Sequence, residues 1–423
     1  MSTTDDVAIA PEPLSTARRS VLFGSMLVNN LILFMVYAGV IAVLLPQQVA
    51  LIDDANKVNN FALVTAISAF ATLFVQPLVG AFSDRTRSRF GRRSPWIVIG
   101  GVGGGLLVIA LQFANVIPVL AFLWVLGQML LNALQGPTTA IIADRVEMSR
   151  RGFGSAFVGV GISIGAAVGI TLAGALITRI GLSYTIFGIA VIIMSILFVL
   201  VNPDRSSKDL EVPRFQWGRF VRGFWVNPRK HPDYAWAFAG RFFMVLGYQA
   251  IQNYGLYILT DYIHLPVADA GILYGRMSMI TAGTTIVGTL IFGRLSDVLR
   301  RRKIFVFGAS LLMAIGVAVP LVSPTASAMI VYAVLVGIGY GAYMSVDLAL
   351  MIDVLPSTGD IGKDLGILNV ASNIPQTLTP VIAAVLLGIF AGNYGSIFVF
   401  AIIAVVFSSF LVFPIKKIGR AHV

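Results

Sequence analysis

Only 12% of the 423 residues are charged and 57% are hydrophobic, against roughly 25% charged in a soluble domain, which excludes an ordinary water-soluble fold. A net charge of +11 would suit a nucleic-acid binder if it formed one basic surface, but the basic residues fall in short polar intervals between apolar runs, which excludes that partner. Cysteine is absent, so disulfide frameworks, thiol nucleophiles and thiolate metal sites are excluded as well.

The polar start, "MSTTDDVAIAPEPLSTARRS", has no apolar core or cleavage site and reads as a tail over residues 1–20 rather than a signal peptide. Twelve apolar runs follow, near 21–45, 61–82, 96–114, 118–143, 153–178, 184–201, 236–260, 270–292, 304–322, 327–351, 365–390 and 394–414. Each suffices for a helix to cross a hydrocarbon core of about 30 Å at about 1.5 Å per residue. Their continuity, without period-two alternation, selects helices over barrel strands. The longest polar interval separates six runs from six. The expected fold is therefore an all-α membrane protein of twelve transmembrane helices in two pseudo-symmetric six-helix bundles, 21–201 and 236–414. A cytoplasmic linker over 202–235 joins them, with "RFQWGRFVRGFW" as a short surface helix, and 415–423 forms a second tail. With the N-terminus inside, every Lys and Arg except Lys57, Arg179, Arg241 and Arg276 falls in a cytoplasmic segment. The positive-inside rule then places both termini in the cytoplasm of a multi-pass protein of the cell (inner or plasma) membrane.

The halves repeat. "GAFSDRTRSRFGRR" after the second run is echoed by "GRLSDVLRRRK" after the eighth, placing Asp84 and Asp297 213 residues apart. Gly154 and Gly366, which open the fifth and eleventh runs, are 212 apart. Parallel six-helix repeats are a transporter architecture with the substrate site near the midplane between them. The pattern G-x-x-S-D-x-x-x-x-R-x-G-R-R resembles the major facilitator superfamily over essentially the whole chain. Within it, "SDRTRSRFGRRSPW" and "NALQGPTTAIIAD" are similar to the sucrose–proton symporters and the related glycoside, pentoside and hexuronide carriers.

Asp84 ends helix 2 on the side where helix 11 begins, and a carboxylate beside a helix N-terminus gains roughly 0.3–1 kcal/mol; Asp297 stands in the same relation to helix 5. Such contacts would join the halves only while the cytoplasmic side is closed. The resemblance implies the same gate, with Arg85, Arg92 and Arg93 latching the outward-open state. Asp144 and Asp353, at the inner ends of helices 4 and 10, read as gate or capping residues.

Sugars need many hydroxyl partners, and polar side chains at helical spacing supply candidates: Asn30 and Tyr37 on helix 1, and Gln128, Asn132 and Gln135 on helix 4. Helix 7 offers Tyr248, Gln252 and Asn253; helix 10 offers Tyr340, Tyr343 and Asp347; helix 11 offers Asn369, Asn373 and Gln376. The family lines its cavity with helices 1, 4, 7 and 10. Asp347 lies inside an apolar run, where an acid costs roughly 2.5–3.5 kcal/mol, so it is the expected proton carrier. Arg241 either pairs with Asp347 or snorkels to the cytoplasmic surface, and snorkelling is the preferred reading; Arg276 is expected near Asp261 or Asp269. Where plant sucrose symporters carry an acid and an arginine on helix 4, this sequence has Gln128 and Thr139, and on helix 2 only Gln76 is strongly polar. Coupling is therefore expected to run through Asp347 in the second half, or to be absent.

The expected activity is proton-coupled uptake of a sugar by a monomer in the bilayer, with a small-molecule solute and a proton as partners and no cofactor or metal. A proton-coupled exporter of drugs or other small solutes and an uncoupled sugar facilitator are the alternatives. No catalytic residue is expected, because His231, His264 and His422 lie apart from any nucleophile or paired acid.

Overall fold

The computed structural model describes residues 15–147, 150–208, 231–299, 301–353 and 361–415. Among them there is no strand. Helices follow one another as α1 Thr16–Ile52, α2 Lys57–Arg85, α3 Ser94–Phe113, α4 Ile117–Arg145, α5 Arg151–Ala175 and α6 Ile177–Val201. After the linker come α7 Pro232–Asn253, α8 Val267–Leu299, α9 Arg302–Val322, α10 Ala326–Asp353, α11 Ile361–Ile389 and α12 Gly395–Phe410. Among the described residues ten helices are long and apolar enough to cross a membrane. The other two of the expected twelve differ for physical reasons: α12 is apolar but has 16 residues, and α7 carries Asp233, Arg241 and several amides before breaking at Tyr254.

Several helices outrun their apolar stretches, because intrahelical hydrogen bonding continues into polar sequence. α1 starts inside the expected tail, where Ser15 Oγ accepts a bond from the Arg18 amide at 3.4 Å. The expected surface helix of the linker lies outside the described residues, whereas residues 202–208 are described and run without helix. Among the described residues four turns depart from α geometry: Val40–Leu44 in α1 and Ile258–Tyr262 beyond α7 are π-helical, while Leu111–Phe113 ending α3 and Ile177–Arg179 opening α6 are 3-10.

Packing follows a rule that the sequence only hinted at. α1 packs on α5 and α6, α2 on α4, and α3 on α4 and α6. Each contact recurs six helices later: α7 on α11 and α12, α8 on α10, and α9 on α10 and α12. The halves meet through α5 with α8 and α2 with α11, which are themselves related by the same shift.

Lipid tails are as apolar as leucine, so close packing and interhelical hydrogen bonds, rather than the hydrophobic effect, hold such helices together. Accordingly, a Cβ added at Gly161, Gly165 or Gly169 of α5 would lie 2.5, 2.3 or 2.1 Å from the carbonyl oxygens of Leu27, Leu31 and Met35 in α1. Between α8 and α10 the device is a threonine ladder, with Thr281, Thr285 and Thr289 donating to the carbonyls of Ala333, Gly337 and Gly341 at 3.3, 3.1 and 3.2 Å.

Candidate functional site

At the arginine-rich end, the 85–93 loop folds back on its own half. Arg93, 5% exposed, reaches Asp84 on α2 and places its Nε 2.9 Å from Asp144 on α4. Its Nη1 donates to Ser83 Oγ at 3.1 Å, and Arg92 meets the other Asp144 oxygen at 2.7 Å. Asp204, just past α6, accepts from the Arg93 amide at 3.2 Å and pairs with Arg145 at 3.0 Å. Ser207 Oγ donates to the Thr86 carbonyl at 2.8 Å. Gly91 has a φ of 86°, and a Cβ there would stand 2.3 Å from the Asp204 side chain. Arg85 bonds back to the Ala81 carbonyl. Thus five of the seven expected gating residues, Asp84, Arg85, Arg92, Arg93 and Asp144, gather at one end of α2 to α4. The Asp297 and Asp353 side chains, like those of the first turns of α11, lie outside the described residues.

Deep in the second half, α7, α10 and α11 converge on one guanidinium. Arg241 Nη1 lies 3.3 Å from Asp347 Oδ2, and its Nε donates to Ser372 Oγ at 3.0 Å. Asp347 is 2% exposed, so in low dielectric the arginine is what allows it to carry charge. This corrects the snorkelling reading of Arg241: α7 and α10 are close enough to pair the charges, a proximity that no local pattern encodes. Tyr343 is buried beside them, and a cavity of about 10 Å³ bounded by Tyr343, Asp347, Gly240 and Ser408 has room for about one water. Two turns further along α7, the Tyr248 ring stacks on Tyr340 at 4.3 Å and 11°. Gln252 Nε2 donates to the Tyr248 hydroxyl at 2.7 Å, and Tyr274 donates to the Gln252 carbonyl at 2.6 Å.

The remaining candidates are less connected. Asn30 and Asn132 are buried, but each amide bonds a carbonyl of its own helix, Met26 and Gln128, at 2.9 and 2.8 Å. The Tyr37 hydroxyl and Gln128 Oε1 are buried without a protein partner among the described residues. Gln135, Asn253 and Asn373 are half-buried and Gln376 is exposed; the Asn369 side chain lies outside the described residues. No group of three His, Cys, Asp or Glu able to hold a metal occurs among the described residues.

The end opposite the arginines holds contacts that sequence reasoning missed. Lys57 on α2 lies 3.1 Å from Asp261, beyond α7. The Tyr257 hydroxyl donates to the Pro46 carbonyl at 2.8 Å, and Thr171 Oγ1 donates to the Gly275 carbonyl at 3.1 Å. All three join the halves at that end. Asp261 therefore meets Lys57 rather than Arg276. Nearby, Asp53 accepts from the amides of Asn56 and Asn60, which hold its carboxyl below the usual carboxylate range, Asn56 contributing most.

The Major Facilitator Superfamily model matches residues 22–286 and 242–422. The sucrose transport protein SUC4 of Arabidopsis thaliana is 37% identical over 119 residues, which is 23% of this chain and 23% of that protein's length. The fujikurins efflux protein of Gibberella fujikuroi is 24% identical over 339 residues, 78% of this chain and 68% of that one. Among solved structures, the nucleoside transporter NupG superposes with a TM-score of 0.75 at 12% identity, covering 94% of this chain and 100% of that one. A bacterial homologue of the human lysosomal transporter Spinster gives 0.71 at 15% identity, covering 94% and 95%. At these identities the superpositions establish the fold.

Proposed function

Because the chain belongs to the Major Facilitator Superfamily, whose members are transporters, we propose that it is a secondary active transporter that takes up a sugar or glycoside together with a proton. In this reading twelve helices cross the membrane, both termini and the arginine-rich end face the cytoplasm, and the two halves rock about a site near the midplane. The observation that carries it is the Arg241–Asp347 pair at 3.3 Å, with Ser372 held by the same guanidinium. Protonating Asp347 cancels its attraction for Arg241 and loosens the tie among α7, α10 and α11. Deprotonation restores it, so proton occupancy biases the packing of three helices that border the site. The stacked Tyr248 and Tyr340 rings, with Gln252 beside them, offer an apolar platform and hydrogen-bonding groups of the kind a sugar ring needs. The partial likeness to a sucrose carrier supports that substrate class. Asp84, Arg85, Arg92, Arg93 and Asp144, with Asp297 and Asp353, form the cytoplasmic gate.

A second reading, export of a small solute driven by protons, is favoured by the likeness to a fungal efflux protein over most of the chain. Uptake of labelled mono- and disaccharides into proteoliposomes, with and without an acid-outside gradient, separates the readings. Gradient-dependent accumulation that Asp347→Asn abolishes while sparing counterflow exchange supports symport. Sugar equilibration indifferent to the gradient supports a facilitator, and no sugar movement at all supports export or another solute.

A further inference from the structure

At the end opposite the arginines, three helical elements converge on the Asp261 carboxylate. Lys57, the first residue of α2, places Nζ 3.1 Å from Asp261 Oδ1 and 2.9 Å from Asp54 Oδ1. Tyr394, just before α12, donates its hydroxyl to Asp261 Oδ2 at 2.8 Å, and Thr260 Oγ1 donates to Oδ1 at 2.8 Å. Asp261 belongs to the π-helical turn Ile258–Tyr262, whose extra residue re-aims the side chains that follow it; such turns concentrate at functional positions. Its counterpart in the first half, Val40–Leu44, directly precedes the segment whose Pro46 carbonyl receives the Tyr257 hydroxyl. The two turns start 218 residues apart, close to the 213 that separates Asp84 from Asp297. Phe61 is wedged edge-on between the rings of Tyr254 and Tyr257 at 5.5 and 5.8 Å.

We propose that Lys57 and Asp261 form a latch that holds this end of the protein closed and opens once in each transport cycle. What distinguishes it from a structural ion pair is that each partner keeps company when the pair parts. Lys57 retains Asp54 in its own half, while Asp261 retains Tyr394 and Thr260 in the other. Breaking the bond therefore strands neither charge, the step that makes separation of an ordinary partly buried pair costly. The Lys57 and Asp261 side chains are 18% and 25% exposed, so water can replace the lost contact as the mouth opens. The proposal needs only that the chain alternates between two states; it does not depend on which solute is carried.

The absence of native cysteine gives the test a clean background. Thr171, bonded to Gly275 across the seam between the halves, is replaced in the full chain (Thr171→Cys), and its maleimide labelling rate is measured in nanodiscs, where both faces are accessible. Lys57→Gln and Asp261→Asn each raise that rate roughly two- to fivefold, the scale of a partly exposed ion pair. The Lys57→Gln/Asp261→Asn double variant labels no faster than the faster single. Asp54→Asn, a change at an exposed site that removes the receiving partner, slows labelling. Unchanged labelling in the single variants, additive effects in the double, or faster labelling with Asp54→Asn would overturn the latch.

Discussion

Asp347 can stay ionised inside the bundle because one guanidinium stands 3.3 Å away, and the arginine is in turn fixed by Ser372. Removing one member of a buried pair generally costs about 3–5 kcal/mol, since the other is left as an uncompensated charge. Arg241→Gln is therefore expected to lower the melting temperature of the purified protein markedly, while Arg241→Gln/Asp347→Asn recovers most of the loss and still fails to accumulate solute. A double variant as unstable as the single would show that Arg241 acts through packing alone. The acid was legible in the sequence because a lone carboxylate in an apolar run is conspicuous. Its partner was not, since Arg241 and Asp347 are 106 positions apart and only the helix arrangement brings them together. The buried amides misled in the opposite direction: Asn30 and Asn132 have the right spacing for a cavity, yet spend their N–H groups on carbonyls one turn back in their own helices. Spacing identifies a face without revealing whether a side chain is already occupied.

Among the elements, α8 and α10 are held by three threonine hydroxyls at four-residue intervals, each donating to a carbonyl 52 positions further along. Such bonds need close backbones, and Gly341 supplies the space: a Cβ there would lie 2.1 Å from the Thr285 carbonyl oxygen. Gly341→Ala should therefore cost about 1–3 kcal/mol, the usual penalty of overpacking. Gly283→Ala on α8, where nothing lies within 4 Å, should be neutral. Thermal melting of both variants checks this, and equal melting temperatures would mean that the pair can slide apart without cost. Apolar run length made the helices themselves legible. Their true ends were less so, because hydrogen-bonded helix continues into the headgroup region, as in α1 and α8. The π-helical turns were invisible, as one extra residue in a turn leaves no signature in composition or period.

For the molecule as a whole, the sequence repeat anticipated the packing, with every principal contact of α1 to α6 recurring in α7 to α12. It did not reveal which end is closed, since one sequence serves both states. The α5–α8 seam offers a direct check: a Cβ built on Gly275 lies 3.4 Å from Thr171 Cβ but only 2.9 Å from Thr171 Cα, so the two helices must ease slightly apart, which brings the Cβ pair into the roughly 3.5–4.5 Å that a disulfide spans. Thr171→Cys/Gly275→Cys should cross-link on oxidation and stop transport, with recovery on reduction. Transport that survives complete cross-linking would mean that the seam does not open during the cycle. α8, one side of that seam, has 33 residues and so runs about 50 Å, well beyond a hydrocarbon core of about 30 Å. Even at a steep tilt of about 40°, the upper end of the usual range, its last turns must stand in the headgroups, where Arg294, Leu295 and Val298 are exposed. The thickness of the host bilayer thus bears on a helix on which the two halves meet, at a cost for each ångström of mismatch, and a thinner or thicker membrane becomes a mechanical input to the balance between the two states.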